Sequence, residues 1–313
     1  MNTRTPLHVA VGVIKDSEGN VLISLRHKSS HQGGLWEFPG GKVEINESVE
    51  QALTRELKEE LGISVQVLEP LIKIKHQYPD LNVLLDVWTV TLFSGKPIGC
   101  EGQEIKWVSP EQLVKHSFPE ANHPIITAAR LPNEYAILNG EDVDESLVNL
   151  QIILNKGIKL IQARFKSLSS KEVKKFFKLA TPSCEDKGAC ILVNSAVKSA
   201  DKVKAEGIHL TSLHLLALRQ KPTGYKWVSA SCHNQLELQH AEQIGVDFVV
   251  LAPVLPTKTH PSVSPLGWDS FKKLTNNVNL PVFALGGMQQ TDKPIAQKFG
   301  AQGISGITTF LAE

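Results

Sequence analysis

GGKVEINESVEQALTRELKEELGI, residues 40–63, packs three glutamates into the six residues of RELKEE, in a chain with a formal net charge of only +1. Ser48 followed three residues later by Gln51 has the form of a capping box, so a helix begins there, and Gly62 ends it. On that helix Glu56, Glu59 and Glu60 stand at i, i+3 and i+4, which puts three carboxylates on one face. Val49, Leu53, Leu57 and Leu61 form a neighbouring apolar stripe that can dock on a sheet. Adjacent carboxylates repel unless a cation lies among them, and hard oxygen donors suit Mg²⁺ or Mn²⁺. The competing reading of RELKEE alone is a solvated face with Arg55 and Lys58 as partners.

Outward from this helix the chain changes character near residues 128–138. Before that point strands dominate. LHVAVGVI (7–14) and VLISLRH (21–27) flank the turn-rich KDSEGN and read as a hairpin. VLLDVWTVTLF (83–93) is a long strand and IKWVS (105–109) a short one. A second helical pattern lies near SPEQLVKH, with Ser109 as cap and Pro110 at its first position. Mixed strands around few helices predict a layered sandwich.

After that point eight short apolar runs alternate with helical patterns. The runs are 135–138, 160–165, 190–195, 207–211, 227–232, 248–253, 282–287 and 303–307. Eight such alternations predict a parallel (β/α)8 barrel, with an open doubly wound sheet as the alternative. The predicted fold class is therefore α/β: a mixed-sheet α/β/α sandwich over residues 1–130, a linker at 131–134, and a barrel over 135–313.

Composition excludes several classes. With 33 basic and 32 acidic residues there is no field for gripping a nucleic-acid polymer. No window approaches the ~18 apolar residues of a membrane span. Cys100, Cys184, Cys190 and Cys232 form no CxxC pair, which speaks against a zinc site or disulfide framework and for a reducing cytoplasm.

The string Gly41, five residues, Glu47, seven residues, Arg55-Glu56-Leu57, one residue, Glu59-Glu60, one residue, Gly62-Ile63 resembles the Nudix hydrolase box at every fixed position. The resemblance covers about residues 5–130. LWEFPGGKVE (35–44), YPD (78–80), EGQEIKW (101–107) and FPEANHP (118–124) are similar to the MutT branch, whose members hydrolyse oxidised guanine nucleotides, above all 8-oxo-dGTP. This resemblance implies a loop–helix–loop site. Glu56, Glu59, Glu60 and Glu101 would hold divalent metal with help from the Gly40 carbonyl. Arg55 would orient the helix carboxylates, and Glu56 or Glu60 would stand near the attacking water. Asn122 would read the oxidised purine, and Arg26, His31, Phe38 and Tyr78 would lie near the nucleotide. Leu81 departs from the pattern, standing where the best-known relative has a cation.

The second half resembles thiamine-phosphate synthase and its TenI-like relatives over about residues 133–311. QARFK (162–166), SCHN (231–234), APVLPTKTHP (252–261), ALGG (284–287) and GISGI (303–307) carry the likeness. Gln162, Arg164 and Lys166 fall at alternate positions of the second barrel run, so all three are expected to point one way. With Asn194, Ser231, His233, Thr257, Thr259, Gly286 and Gly287 they make a candidate phosphate site, as barrels often carry in this region. The resemblance implies magnesium-binding acids after the third and fourth barrel strands. Ser195 replaces the first, GIHLTSLHL (207–215) lacks the second, and His260 replaces a lysine. A barrel that binds ligand without making thiamine phosphate is the expectation. Two functions stay open, besides a barrel that only senses a ligand and regulates its neighbour. One is a nucleotide pyrophosphohydrolase acting on an oxidised purine. The other is a thiamine-pathway protein hydrolysing a related pyrophosphate.

Overall fold

The computed structural model describes residues 5–29, 31–257 and 263–311. The chain divides into two compact units between Arg130 and Leu131.

In the first unit the strands are β1 (Leu7–Ile14), β2 (Val21–Leu25), β3 (Trp36–Glu37) and β4 (Gly40–Lys42). Helix α1 (Val49–Leu61) follows, then β5 (Ser64–Gln77), β6 (Asn82–Ser94), β7 (Ile105–Val108) and α2 (His123–Arg130). A mixed sheet runs in the order β4-β1-β6-β5, with β1 parallel to β6 and both outer pairs antiparallel. A smaller antiparallel sheet runs β3-β2-β7.

Alternation along β1 explains the layering. Ala10 and Ile14 meet Leu53, Leu57 and Leu61 of α1, whereas Val11 and Val13 join the cluster that holds Ile125 and Ile126 of α2. Successive side chains of a strand face opposite sides, so α1 and α2 cover opposite faces of one sheet. The Ser48–Gln51 capping box forms and Gly62 ends α1 in the left-handed conformation.

Three local expectations are corrected. KDSEGN does turn the chain, with a bridge from Lys15 to Val21, but β1 and β2 then part into different sheets. SPEQLVKH forms a 3-10 helix over Pro110–Lys115, and Ser109 makes no side-chain cap bond. The long strand β5, absent from the sequence reading, forms the edge of the larger sheet. Pro70 lies within it, next to a register shift between Pro70 and Ile72. An edge strand tolerates proline because its outer amides need no ladder partner.

The second unit is a closed barrel of eight parallel strands. Its elements run β8 (Glu134–Leu138), α3 (Val143–Asn155), β9 (Leu160–Ala163), α4 (Ser170–Asp186), β10 (Cys190–Asn194), β11 (Gly207–Leu210), α5 (Ser212–Ala217) and β12 (Trp227–Cys232), with only a 3-10 turn, Ala200–Lys202, where a helix was expected between β10 and β11. They continue as α6 (Gln235–Ile244), β13 (Phe248–Leu251), α7 (Gly267–Thr275), β14 (Val282–Leu285), α8 (Lys293–Lys298) and β15 (Gly303–Gly306). Each of the eight apolar runs is a barrel strand.

Residues 131–134, expected as a linker, are built into this unit. Leu131 is buried, Gln302 Nε2 donates to its carbonyl at 3.3 Å, the Asn133 carbonyl accepts from Ile304 N, and Glu134 opens β8. The barrel interior is filled at its lower end by Tyr135, Leu160, Leu192, Trp227, Phe248 and Phe283. The opposite residues of the same strands, such as Ile161, Val193, Val228 and Val249, join the cluster shared with the surrounding helices. Strands buried on both faces read as continuous apolar runs.

Candidate active site

The first site is built where α1 meets β4. Arg55 acts as a clamp. Its Nη2 donates to Glu47 Oε1 at 2.7 Å and to the Lys42 carbonyl at 3.1 Å, while Nη1 reaches Glu56 Oε1 at 2.9 Å and Glu59 Oε2 at 3.2 Å. The paired glutamates raise the Arg55 pKa further, with Glu47 the larger cause and Glu56 the next. Glu47 is lowered chiefly by its hydrogen bond from Arg55. Arg55 therefore holds two of the three helix carboxylates in place. Glu47, named only as part of the motif, is its anchor.

Glu60 differs from its neighbours. The Gly40 amide donates to Glu60 Oε2 at 3.2 Å. Burial, and then the negative charges of Glu37, Glu56 and Glu101, push its pKa up to about 8. Four carboxylates thus share one electrostatic environment. Among the described residues no three acid, histidine or cysteine side chains converge closely enough to enclose one ion. The donor set is nevertheless all hard oxygen, and a buried acid held neutral by three other acids suits a divalent cation. Gln103 organises the far side: its Nε2 donates to the Glu60 carbonyl at 3.0 Å and its Oε1 accepts from Glu101 N at 2.9 Å.

Glu37 was not singled out in the sequence. It is ion-paired with Arg26, and burial raises its pKa against the pull of that guanidinium. Its sequence signal was its place three residues before Gly40. Its role emerges only because β3 and β4 bring it beside Glu60.

The expected nucleotide residues lie on the other side of Glu37. Arg26 Nε donates to the His31 carbonyl at 2.9 Å. His31 and Tyr78 meet edge to face at 5.0 Å, and His31 Nε2 lies 3.4 Å from Asp80 Oδ1. The Ala121 amide faces the Tyr78 hydroxyl, whose pKa burial raises. Asn122, next along, is 9% exposed at the end of a 3-10 turn. Arg26, His31 and Tyr78 are therefore brought together, and Asn122 is the chain neighbour of the residue that faces Tyr78. Phe38 is not presented with them: it is core, stacked on Phe118 at 5.3 Å.

In the barrel, side chains pointing inward near the strand C-termini are polar. Asn194 Nδ2 donates to Gln162 Oε1 at 2.8 Å, and Gln162 Nε2 lies 3.4 Å from the Tyr135 hydroxyl. His209, missed in the sequence, sits at the centre. Its Nδ1 is 2.7 Å from Ser229 Oγ and its Nε2 is 2.8 Å from Ser231 Oγ. Burial, aided by the Arg164 charge, lowers its pKa to about 3, so the ring is neutral. Its position on a four-residue strand with apolar neighbours gave no signal.

The candidates from the second strand are corrected. β9 ends at Ala163, so Gln162 points inward but Arg164 and Lys166 lie in the following loop. Arg164 is half-buried and Lys166 exposed. His233 is exposed, its Nδ1 2.8 Å from the Ala252 carbonyl. Gly286 and Gly287 follow β14 at positive φ, and Thr257 follows β13. Thr259 and His260 lie outside the described residues.

A NUDIX domain family model matches residues 10–128 and a thiamine monophosphate synthase family model matches residues 134–310. An 8-oxo-dGTP diphosphatase of Escherichia coli (strain K12) is 40% identical over 120 residues, covering 38% of this chain and 93% of that protein. The chain is a Nudix hydrolase joined to a member of the thiamine monophosphate synthase family.

On the Nudix side, a CTP pyrophosphohydrolase of the same organism is 39% identical over 118 residues, covering 38% of this chain and 87% of that one. On the synthase side, a putative thiamine-phosphate synthase 2 of Aquifex aeolicus (strain VF5) is 34% identical over 185 residues, covering 58% of this chain and 98% of the relative. Among the described residues no helix is long and apolar enough to cross a membrane.

Proposed function

We propose that the Nudix unit is a MutT-type pyrophosphohydrolase that converts 8-oxo-dGTP to 8-oxo-dGMP and pyrophosphate. The observation that carries this reading is the shared environment of Glu60, Glu56, Glu37 and Glu101, with Glu37 ion-paired to Arg26 of the Arg26–His31–Tyr78 cluster. In this reading Glu56, Glu59, Glu60 and Glu101, with the Gly40 carbonyl, hold Mg²⁺ or Mn²⁺. Bound there, the cation would neutralise triphosphate charge and make water easier to ionise.

The chain's own residues do the rest. Water attacks the β-phosphorus, its oxygen bonding there as the bond to the α-phosphate oxygen breaks. Glu56 or Glu60 accepts the water proton. Arg55 holds Glu56 and Glu59 still, so little reorganisation accompanies the reaction. Asn122 offers a donor and an acceptor on one rigid amide, which can match an oxidised purine edge.

The deciding assay is steady-state pyrophosphate release from 8-oxo-dGTP, dGTP, CTP and thiamine diphosphate. A strong preference for 8-oxo-dGTP supports the reading. Preference for thiamine diphosphate would replace it with the thiamine-pathway function, which the attached barrel motivates. Asn122→Ala should lower the kcat/KM ratio of 8-oxo-dGTP over dGTP by about one to two orders of magnitude, because a buried purine edge loses its partner. An unchanged ratio would remove Asn122 from recognition.

Metal binding should be linked to pH. Glu60's folded value of about 8 lies above the ordinary 4.5. The metal-free fold therefore favours the protonated acid, fully so below about 4.5, and loses that advantage as pH rises through about 8. A cation needs the ionised form, so Mg²⁺ affinity should fall about tenfold per pH unit below about 8. Calorimetric titrations in buffers of different ionisation heat would register the released proton. A pH-independent affinity would exclude Glu60 as a ligand.

For the barrel we propose a binding role, with a phosphate ligand at its C-terminal mouth and without the synthase reaction. The four cysteines are free thiols, which fits the reducing cytoplasm we propose as its compartment.

A further inference from the structure

The barrel mouth carries an arc of neighbouring groups with unusual charge. β9, β10, β11 and β12 are adjacent in the barrel. Arg164 and Ser195 lie in the loops after β9 and β10, His214 lies in the first turn of α5 after β11, and Ser231 lies near the end of β12. Parallel strands place all of these at one end of the barrel.

Arg164 is the only guanidinium of the arc. It is half-buried, and among the described residues no carboxylate pairs with it. Its pKa is lowered by burial, with no acid offsetting the loss of hydration. A desolvated cation is costly unless an anion faces it. The nearby acids are engaged elsewhere. Glu172 caps α4 through Ser169, and Glu237 accepts from His233 N and Asn234 Nδ2.

Ser195 and His214 follow β10 and β11, the two strands after which the synthase resemblance leads one to expect magnesium-binding acids. They are bonded to each other: Ser195 Oγ lies 2.7 Å from His214 Nδ1 and accepts from Thr211 N at 3.0 Å. Two proton arrangements satisfy this pair. If the serine hydroxyl donates to Nδ1, neutral His214 carries its proton on Nε2, facing away from the pair. If Nδ1 donates, the serine hydroxyl proton is released instead. Either way one hydrogen-bond donor is left for a ligand. A carboxylate would offer only acceptors. The donor set is thus wrong for a divalent cation and right for a phosphate oxygen.

We propose that the barrel mouth binds a phosphate monoester without any divalent metal, through Arg164 and the remaining donor of the Ser195–His214 pair. This rests on the reading of the barrel as a phosphate-binding module. It adds that the charge magnesium supplies in a synthase is here supplied by the chain itself. It also makes a magnesium pyrophosphate a poor ligand, since neither Ser195 nor His214 offers a carboxylate to hold the metal that it would bring.

The test is calorimetric titration of the full chain with inorganic phosphate, methyl phosphate and pyrophosphate. Each is run in excess EDTA and in excess Mg²⁺; the chelator also silences metal-dependent phosphate binding by the Nudix unit. The expected result is binding of phosphate or methyl phosphate in EDTA, no weaker than in Mg²⁺. Tighter binding of methyl phosphate would identify an esterified ligand, and equal binding the free ion.

Arg164→Gln should weaken it by roughly tenfold or more, the scale of a charge-assisted contact. Ser195→Asp should abolish it in EDTA and restore part of it in Mg²⁺, which a merely structural serine would not do. Ser195→Ala, a smaller change, should weaken binding without making it respond to metal.

Binding that Arg164→Gln weakens, but that is seen only with Mg²⁺ or is stronger for pyrophosphate with Mg²⁺, would overturn the metal-independent site while leaving the phosphate module intact. No binding of any probe in either condition would overturn both.

Discussion

Glu60→Gln lowers the rate of 8-oxo-dGTP hydrolysis by about three orders of magnitude in the expected result, the scale of losing a proton acceptor or a metal-binding carboxylate. The change keeps shape and removes charge. Glu60 is the carboxylate that the fold raises to about 8, through burial and the charges of Glu37, Glu56 and Glu101. The neutral amide relieves that crowding, so the metal-free variant should resist denaturant at least as well as the parent above about pH 8. Loss of activity with retained or improved stability would place Glu60 in the chemistry. Loss of both would make it a structural residue. Activity within a few-fold of the parent would shift the proton acceptor to Glu56.

Gly41→Ala is the second large effect, and it separates two kinds of glycine. A Cβ at Gly41 would lie 2.2 Å from Glu56 Cδ, with both carboxylate oxygens within 2.4 Å. The obstructing group is the end of a flexible side chain, so it can move and the fold should survive. Moving it takes Glu56 away from Arg55 Nη1, now 2.9 Å distant. Activity is expected to fall by about two to three orders of magnitude, as for removal of one preorganised charged group, with little change in the denaturation midpoint.

Gly40→Ala is the contrast. Its φ is +145°, and a Cβ there would lie 2.1 Å from the Ala10 carbonyl oxygen, which is backbone and cannot yield. That variant should lose stability as well as activity. Parallel unfolding curves and rates for the pair would check the distinction. Equal stability loss in both would refute it.

These two glycines show how unevenly the sequence discloses its structure. The α1 helix was legible because cap, apolar stripe and terminal glycine agree within a single segment. The barrel was legible because strands buried on both faces leave unbroken apolar runs. β5 was not, since an edge strand exposes Lys73 and Lys75 on one face and tolerates Pro70, which reads as a breaker. Arg164 and Lys166 were misplaced because alternation holds only while a strand lasts, and β9 stops at Ala163.

For the site, the box motif named the acids of the helix. Glu37 and His209 escaped because their significance lies in contacts across 23 and 20 residues, to Glu60 and Ser229. No local pattern encodes such distances.

The edge position of β5 also bears on aggregation. The open side of a strand is a template on which another chain can lengthen a sheet. Along β5 the proline, the register shifts around it and the exposed lysines interrupt that template. At the opposite edge β4 has three residues, and in the smaller sheet β3 has two and β7 four. The barrel, being closed, offers no edge at all. Among the described residues this β-structure therefore presents a neighbouring copy with no long, flat edge to extend, a form of self-protection written partly in the residue that hid the strand from view.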